Sequence, residues 1–365
     1  NALFQQFTAR TTWEKVKSSL FPLLEAASRT GEILDFQNVL ERLAFDFTCI
    51  SVLGHDPNSV SEESAAEKAF SYHAEGVFYR HVVPVFLWKF QSLLRIGTER
   101  KMAAGRRTIE EFMSESISLR EEENRKIDGG SHDMLSCYLR IVRGKCDQEI
   151  ATISRQIWRD ALLNFIFAGK DTISSALTWF FWVIGNHPEE EEKIRREITA
   201  VLGTGEWNSD GRAADEIKNL VYLHAALCET LRLFPPVPFQ HKSPLNDDVL
   251  PSGHLVKRND RIVLSFYSMG RMESIWGKDS GEFRPGRWFS DEGTMKLFPA
   301  FKFPAFNAGP RSCIGKEISF VQMKIVIAAV LSRFKIAVVD GDHARPRASI
   351  VLQLEDGLKT RVTKL

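Results

Sequence analysis

Long apolar runs are missing from this 365-residue chain. The most apolar stretch is ALTWFFWVIG, Ala176–Gly185, well short of the roughly 20 residues that cross a bilayer. Cysteine is scarce and scattered, at Cys49, Cys137, Cys146, Cys228 and Cys313. No two make a CxxC pair or a zinc-type spacing. An odd, dispersed set excludes a disulfide framework and suits a reducing compartment. Net charge of either sign is missing too: 48 Lys and Arg against 47 Asp and Glu leave +1. That removes any bulk electrostatic attraction to nucleic acid, and no nucleic-acid partner is expected. There are no internal repeats and no long low-complexity linker. No secretory signal is legible at the front. The first residue is Asn1 rather than Met, so the chain is expected to lack its N-terminal portion.

What is abundant is aromatic: 26 Phe and 8 Trp. Such a set builds a core first and, where it lines a cavity, a site for an apolar ligand. The pattern along the chain is mostly helical. FQNVLERLAFDFTCISVLG steps by three and four and ends at Gly54. GTERKMAAGRRTIEEFMSESISLREEENRK reads as a charged surface helix, with IDGGSHDM after it as a loop. A long helix is expected from about Ser154 to Asn186, stopped by His187-Pro188. Pro188 then opens another, with Glu189–Glu192 as a solvated acidic first turn. NLVYLHAALCETLRLFPP is a helix ended by Pro235-Pro236. DDVLPSGHLVKRNDRIVLSFY alternates and reads as a small β region. KEISFVQMKIVIAAVLSRF returns to helix, and ASIVLQLEDGLKTRVTKL is expected to close as a hairpin around Asp356-Gly357. The fold class is mainly α with a small β region.

One stretch is not explained by packing. In FNAGPRSCIG, Phe306–Gly315, a cysteine sits in a tight loop directly before a helix. A sulfur there sees the positive end of the helix, which favours the thiolate. Gly309 and Gly315 permit sharp turns and the close approach of a flat ligand. Arg311 can reach an anionic group on that ligand. A thiolate, a tight loop and an arginine together describe the axial iron ligand of a haem. The other four cysteines read as small buried hydrophobes.

With Phe306, Gly309, Arg311, Cys313 and Gly315 in the string F-x-x-G-x-R-x-C-x-G, the chain resembles the cytochrome P-450 family. Three further segments stand in the family's order. AGKDT, Ala168–Thr172, resembles its oxygen-binding segment. Ala168 and Gly169 would leave room over a cofactor face, and Asp171 and Thr172 would relay protons. Lys170 stands where an arginine is more usual. ETLR, Glu229–Arg232, puts an acid and a base three apart on one helix face. FRPGRW, Phe283–Trp288, would bring Arg287 to Glu229 and Arg232 in a buried charge cluster supporting the haem loop. Gly286 stands where the family often has a glutamate.

The resemblance implies a single haem-thiolate monooxygenase domain over residues 1–365, with a cytochrome P-450 fold lacking its N-terminal portion. The absent parts would be the anchor, the first β region and the helix whose Trp and Arg hold a haem propionate. Trp13 and Lys17 in TTWEKVK mimic that spacing but lie too late in the chain. The implied cofactor is haem b, with O2 and electrons from NADPH through a reductase partner. The implied location is the cytosolic face of the endoplasmic reticulum membrane, through the missing N-terminus.

Within the family, AGKDTISSALTWFFWVIGNHPE, LPSGH, GRMESIWGKD and FNAGPRSCIGKEISFVQMK resemble the plant clan of fatty-acid and alkane hydroxylases. HKSPLNDDVLPSGHLVK and NALFQQFTARTTWEKVKSSL resemble the noroxomaritidine synthase type of Amaryllidaceae alkaloid synthesis. That implies para–para′ oxidative phenol coupling of a 4′-O-methylnorbelladine-type substrate. Hydroxylation of long-chain alkanes or fatty acids is the alternative. A reading of another class is a truncated, inactive haem-protein fragment.

Overall fold

Where apolar residues recur every three or four positions, the chain is helical in the computed structural model, which describes residues 2–126, 131–143, 148–203, 216–339 and 344–365. The helices are α1 (Ala2–Lys15), α2 (Phe21–Thr30), α3 (Phe36–Leu53), α4 (Ala65–Val82), α5 (Val85–Leu94), α6 (Gly97–Lys126) and α7 (Met134–Arg143). They continue as α8 (Gln148–Gly185), α9 (Pro188–Leu202), α10 (Val221–Leu233), α11 (Phe266–Met269), α12 (Glu273–Trp276) and α13 (Lys316–Arg333). Helix α3 stops where expected because Gly54 takes a left-handed φ of 69°. At its start, the Asp35 side chain accepts from the Asn38 N–H.

Helix α8 begins at Gln148 rather than near Ser154. The QEIATI segment carries little apolar periodicity, but its residues include good helix formers. The acidic turn of α9 pairs with its own helix, Glu190 with Lys193 and Glu191 with Arg195, and Glu190 also accepts from the Tyr222 hydroxyl of α10.

The core is built on α8. Trp179 is 1% exposed and stacks on Phe234 at 4.3 Å. Phe181 meets Phe36 of α3 at 5.0 Å. Helix α13 is buried along most of its length, from Phe320 to Leu331. Trp13 packs edge-on to Phe21 at 5.9 Å and is buried in the core. Cys49 and Cys228 are buried and Cys137 is half-buried. Cys146 lies outside the described residues, as does part of the loop expected at IDGGSHDM.

The strands are β1 (Ile33–Asp35), β2 (Phe239–Lys242), β3 (Asp248–Val249), β4 (Leu255–Val256) and β5 (Ile262–Ser265), then β6 (Phe334–Val338), β7 (Pro346–Arg347), β8 (Gln353–Leu354) and β9 (Lys359–Lys364). They correct two expectations. The alternating stretch from Asp247 to Tyr267 is not one region. Strands β3 and β4 pair together, β5 pairs with β2, and the chain turns helical at Phe266.

The C-terminal hairpin does not form either. Strand β8 pairs with β7, and β9 lies between β1 and β6. The Asp35 side chain explains this. It accepts from the Leu358 N–H at 3.1 Å and from Lys359 Nζ at 2.9 Å. The Phe36 N–H donates to the Leu358 carbonyl at 2.7 Å. Those bonds seize the chain just past Gly357 and hand it to β1.

Candidate functional site

A cavity of about 460 Å³ lies between α8, the loop before α13, α3 and the segment after α10. That volume falls in the range of small-molecule sites. The wall is mostly apolar, with Phe165, Ile173, Ala176, Val237 and Phe266 among its side chains.

The loop reaches the cavity through two tight turns, Pro304–Phe306 and Gly309–Arg311. Gly309 has φ +66°, which a side chain rarely tolerates. The Cys313 N–H donates to the Phe306 carbonyl at 2.8 Å, which closes the loop under the sulfur. Cys313 is exposed, unlike Cys49 and Cys228. The Phe306 ring lies 5.2 Å from Phe320, so the loop is anchored on the helix it precedes. Phe306, Arg311, Cys313 and Gly315 all line the cavity, whereas Gly309 shapes the turn from outside that lining.

From α8, Ala168, Gly169 and Thr172 line the same cavity. Gly169 has a use the sequence did not reveal. A Cβ there would stand 2.9 Å from the Thr48 side chain, so glycine lets α3 close on α8. Thr172 Oγ1 donates to the Ala168 carbonyl oxygen at 2.6 Å. Asp171 is not among the lining residues. It is 7% exposed, and its Oδ1 lies 2.7 Å from Lys170 Nζ. The structure therefore brings Thr172 to the cavity and turns its acidic neighbour to Lys170.

The structure brings the residues of the third constellation together. Glu229 is completely buried and accepts from Arg232 Nε and Nη2, both at 2.8 Å. It also accepts from Arg287 Nε at 3.1 Å and Trp288 Nε1 at 3.0 Å. The Trp288 ring in turn meets Phe303 at 4.8 Å, at the entry to the cysteine loop. The cluster thus reaches the start of the loop through an aromatic contact.

A sequence profile for cytochrome P450 matches residues 2–360. The chain belongs to the cytochrome P450 family. Its members are haem-thiolate enzymes that use O2, and this chain is one of them. It is 38% identical to the alkane hydroxylase MAH1 of Arabidopsis thaliana, over 100% of this chain and 72% of that protein. It is 36% identical to noroxomaritidine synthase of Narcissus aff. pseudonarcissus MK-2014, over 96% and 68%. The crystal structure of a cytochrome P450 (CYP102L1) superposes with a TM-score of 0.81 at 21% identity, covering 100% of this chain and 79% of that one. That last likeness speaks for the P450 fold.

Reasoning from sequence missed several residues of this cavity. Thr48 and Ser51 on α3, Gln240 on β2 and Gln322 on α13 all line the cavity. Gln240 Oε1 is buried and finds no hydrogen-bond partner among the described residues. Only Gln322 left a signal, as a polar residue inside the apolar run of α13. Position along the chain carries no trace of the others.

Proposed function

We propose that residues 1–365 act as one haem-thiolate unit that couples two phenol rings within a single small amine, of the 4′-O-methylnorbelladine type. The observation that carries this reading is the shared cavity, which gathers Cys313, Arg311, Ala168, Gly169 and Thr172. These residues fit a haem. Cys313 offers a soft anionic donor, Gly309 and Gly315 give a low backbone around it, and Arg311 offers a cation to a carboxylate. Haem b bound there would supply oxygen activation and one-electron oxidation, with electrons from NADPH through a reductase.

The chain's own work is then positional. Ala168 and Gly169 keep α8 free of bulk along the cavity. Thr172 holds a proton at Oγ1, now shared with the Ala168 carbonyl oxygen. Asp171 stands next in line to resupply it. Phe165, Ile173, Val237 and Phe266 exclude water and press both rings into one folded pose. A diphenolic amine brings hydrogen-bond donors. Such a donor suits the unpaired Gln240 oxygen, because leaving a buried acceptor unsatisfied costs about 1–3 kcal/mol.

A second reading, hydroxylation of a long-chain alkane or fatty acid, is favoured by the otherwise apolar wall and by the 38% identity to an alkane hydroxylase. For location we propose the cytosolic face of the endoplasmic reticulum membrane. Among the described residues no helix is long and apolar enough to cross it. Helix α5 instead shows Phe86 70% exposed and Leu93 80% exposed, an apolar surface suited to lie in a lipid interface.

The test offers the protein, with a plant reductase and NADPH, 4′-O-methylnorbelladine and a long-chain alkane in parallel. Loss of two hydrogens from the diphenol, with no added oxygen, is the expected result. An alkane that gains one oxygen while the diphenol stays intact would establish the second reading instead.

A further inference from the structure

The part of the cavity wall that carries Gln240 is held from α8, by side chains outside the lining. After α10 the chain runs through Pro236 and Val237 to Gln240, and all three line the cavity. The Pro236 carbonyl accepts from the Leu352 N–H at 2.8 Å. The Leu352 carbonyl in turn accepts twice from α8, from Ser175 Oγ at 2.6 Å and from Trp179 Nε1 at 2.8 Å. Both lone pairs of that oxygen are thus filled. Ser175 and Trp179 are each 1% exposed. The Trp179 ring also stacks on Phe234, just before Pro236.

The serine is not explained by its own helix. Serine forms helix less readily than alanine, and inside a helix its hydroxyl commonly turns back to a carbonyl of the preceding turn. Ser174 does this, donating to the Asp171 carbonyl at 3.1 Å. Ser175 instead reaches a residue 177 positions later.

Leu352 is not free to follow the wall passively. Gln37 of α3 grips Leu354 twice: its Nε2 donates to the Leu354 carbonyl at 3.2 Å, and its Oε1 accepts from the Leu354 N–H at 2.9 Å. The segment is therefore fixed to α3 at Leu354, to α8 at the Leu352 carbonyl and to the cavity wall at the Leu352 N–H. On α8, Ser175 lies three residues beyond Thr172, about 4.5 Å along the axis. One helix carries both Thr172 and the donors that place the wall around Val237 and Gln240.

We propose that Ser175 and Trp179 are positioning residues for regiochemistry. Through Leu352 they hold the Pro236–Gln240 segment in register with Thr172, and so set which ring carbons of the substrate meet. Loss of one donor leaves the Leu352 carbonyl one partner and shifts the wall slightly. Loss of both leaves a buried carbonyl unsatisfied, which turns toward a new donor and pulls on the Pro236 bond. This rests on the coupling reading, and the experiment keeps the two apart.

The experiment uses the haem-loaded protein with a plant reductase and NADPH. Ser175→Ala, Ser175→Thr, Trp179→Phe and the double variant Ser175→Ala with Trp179→Phe stand beside the parent. Phenylalanine keeps a ring against Phe234 and removes only the N–H. Binding of 4′-O-methylnorbelladine is read from the spin-state change in the haem absorbance, and regiochemistry from the ratio of para–para′ to ortho–para′ product. Ser175→Ala should weaken the dissociation constant by about threefold and raise the ortho–para′ share, while Ser175→Thr, which keeps the hydroxyl, holds both at the parent values. The double variant should weaken binding by about 30-fold, well beyond the product of the two single effects. The proposal is overturned if Ser175→Ala melts lower yet keeps the parent's constant and product ratio, which is what a purely structural bond gives. A double variant whose effects only multiply overturns it too. Where the double variant fails to take up haem, Ser175→Ala against Ser175→Thr decides alone. The coupling reading fails separately. A parent that leaves the diphenol intact and hydroxylates a long-chain alkane refutes coupling, and the position of the new hydroxyl in parent and Ser175→Ala then replaces the product ratio.

Discussion

The sulfur of Cys313 is presented by its loop, not packed by it. The Phe306 carbonyl holds the Cys313 N–H, Gly309 supplies the left-handed turn, and the side chain is left exposed at the cavity. Cys313→Ser keeps the size and the backbone and removes the soft donor. The expected outcome is a fold of unchanged helix content that no longer gives the thiolate signature in the reduced carbonyl spectrum. An unaltered spectrum would mean that another group holds the iron. Cys228 is a contrast: burial, with Glu229 adding to it against Lys316 and Lys324, raises its thiol to about 12. It stays a thiol at any ordinary pH. The sequence could separate these two cysteines because one is flanked by glycine, proline and arginine and the other by leucine and glutamate. It could not find Glu67. Its meeting with Lys170 depends on how two helices lie together, and no spacing along the chain records that.

At the scale of elements, Glu229 ties α10 to the segment around Arg287 and Trp288. Arg232 adds a bond to the Ser280 carbonyl at 2.6 Å and accepts no substitute geometry, being 2% exposed. Glu229→Gln removes the anion, leaving the buried Arg232 guanidinium without its carboxylate and the half-buried Arg287 with Asp279 alone. Breaking one side of such a cluster costs about 3–5 kcal/mol. Thermal unfolding should show a drop of that order, and retention of Cys313 ligation at low temperature would separate support from chemistry. A loss under 1 kcal/mol would show that the cluster is replaceable by neutral hydrogen bonds. This constellation was legible only through the family resemblance, because an acid and a base three apart on a helix are by themselves an ordinary surface pair. The helices were legible from their periodicity, which states which face is buried. The short strands were not. Strands β3 and β4 are two residues each, too short for alternation to say which partner they choose.

At the scale of the whole molecule, helix α5 presents an apolar face to solvent, with Phe86 and Leu93 exposed. None of its residues is buried. It is tethered by side chains: Arg80 lies 4.7 Å over the Trp88 ring, and Gln91 Nε2 donates to Tyr79 at 3.0 Å. If this face lies on lipid, the protein should sediment with phosphatidylcholine vesicles. Phe86→Asp with Leu93→Asp should cut the bound fraction several-fold and leave melting unchanged, since neither side chain supports the core. Equal sedimentation of parent and variant would assign membrane contact elsewhere.

Strand β9 has a consequence in time as well as in space. It fills the middle of a sheet whose outer strands are β1 and β6, and Lys359 grips Asp35 across 324 residues of sequence. A ribosome releases β1 early and β9 almost last among these residues. Until then the start of α3 lacks the Leu358 and Lys359 partners that hold it. The start of α3 must therefore wait, its partners missing, while the residues up to Leu358 are made. A frameshift in the last few codons of this stretch would be felt first at the opposite end of the chain.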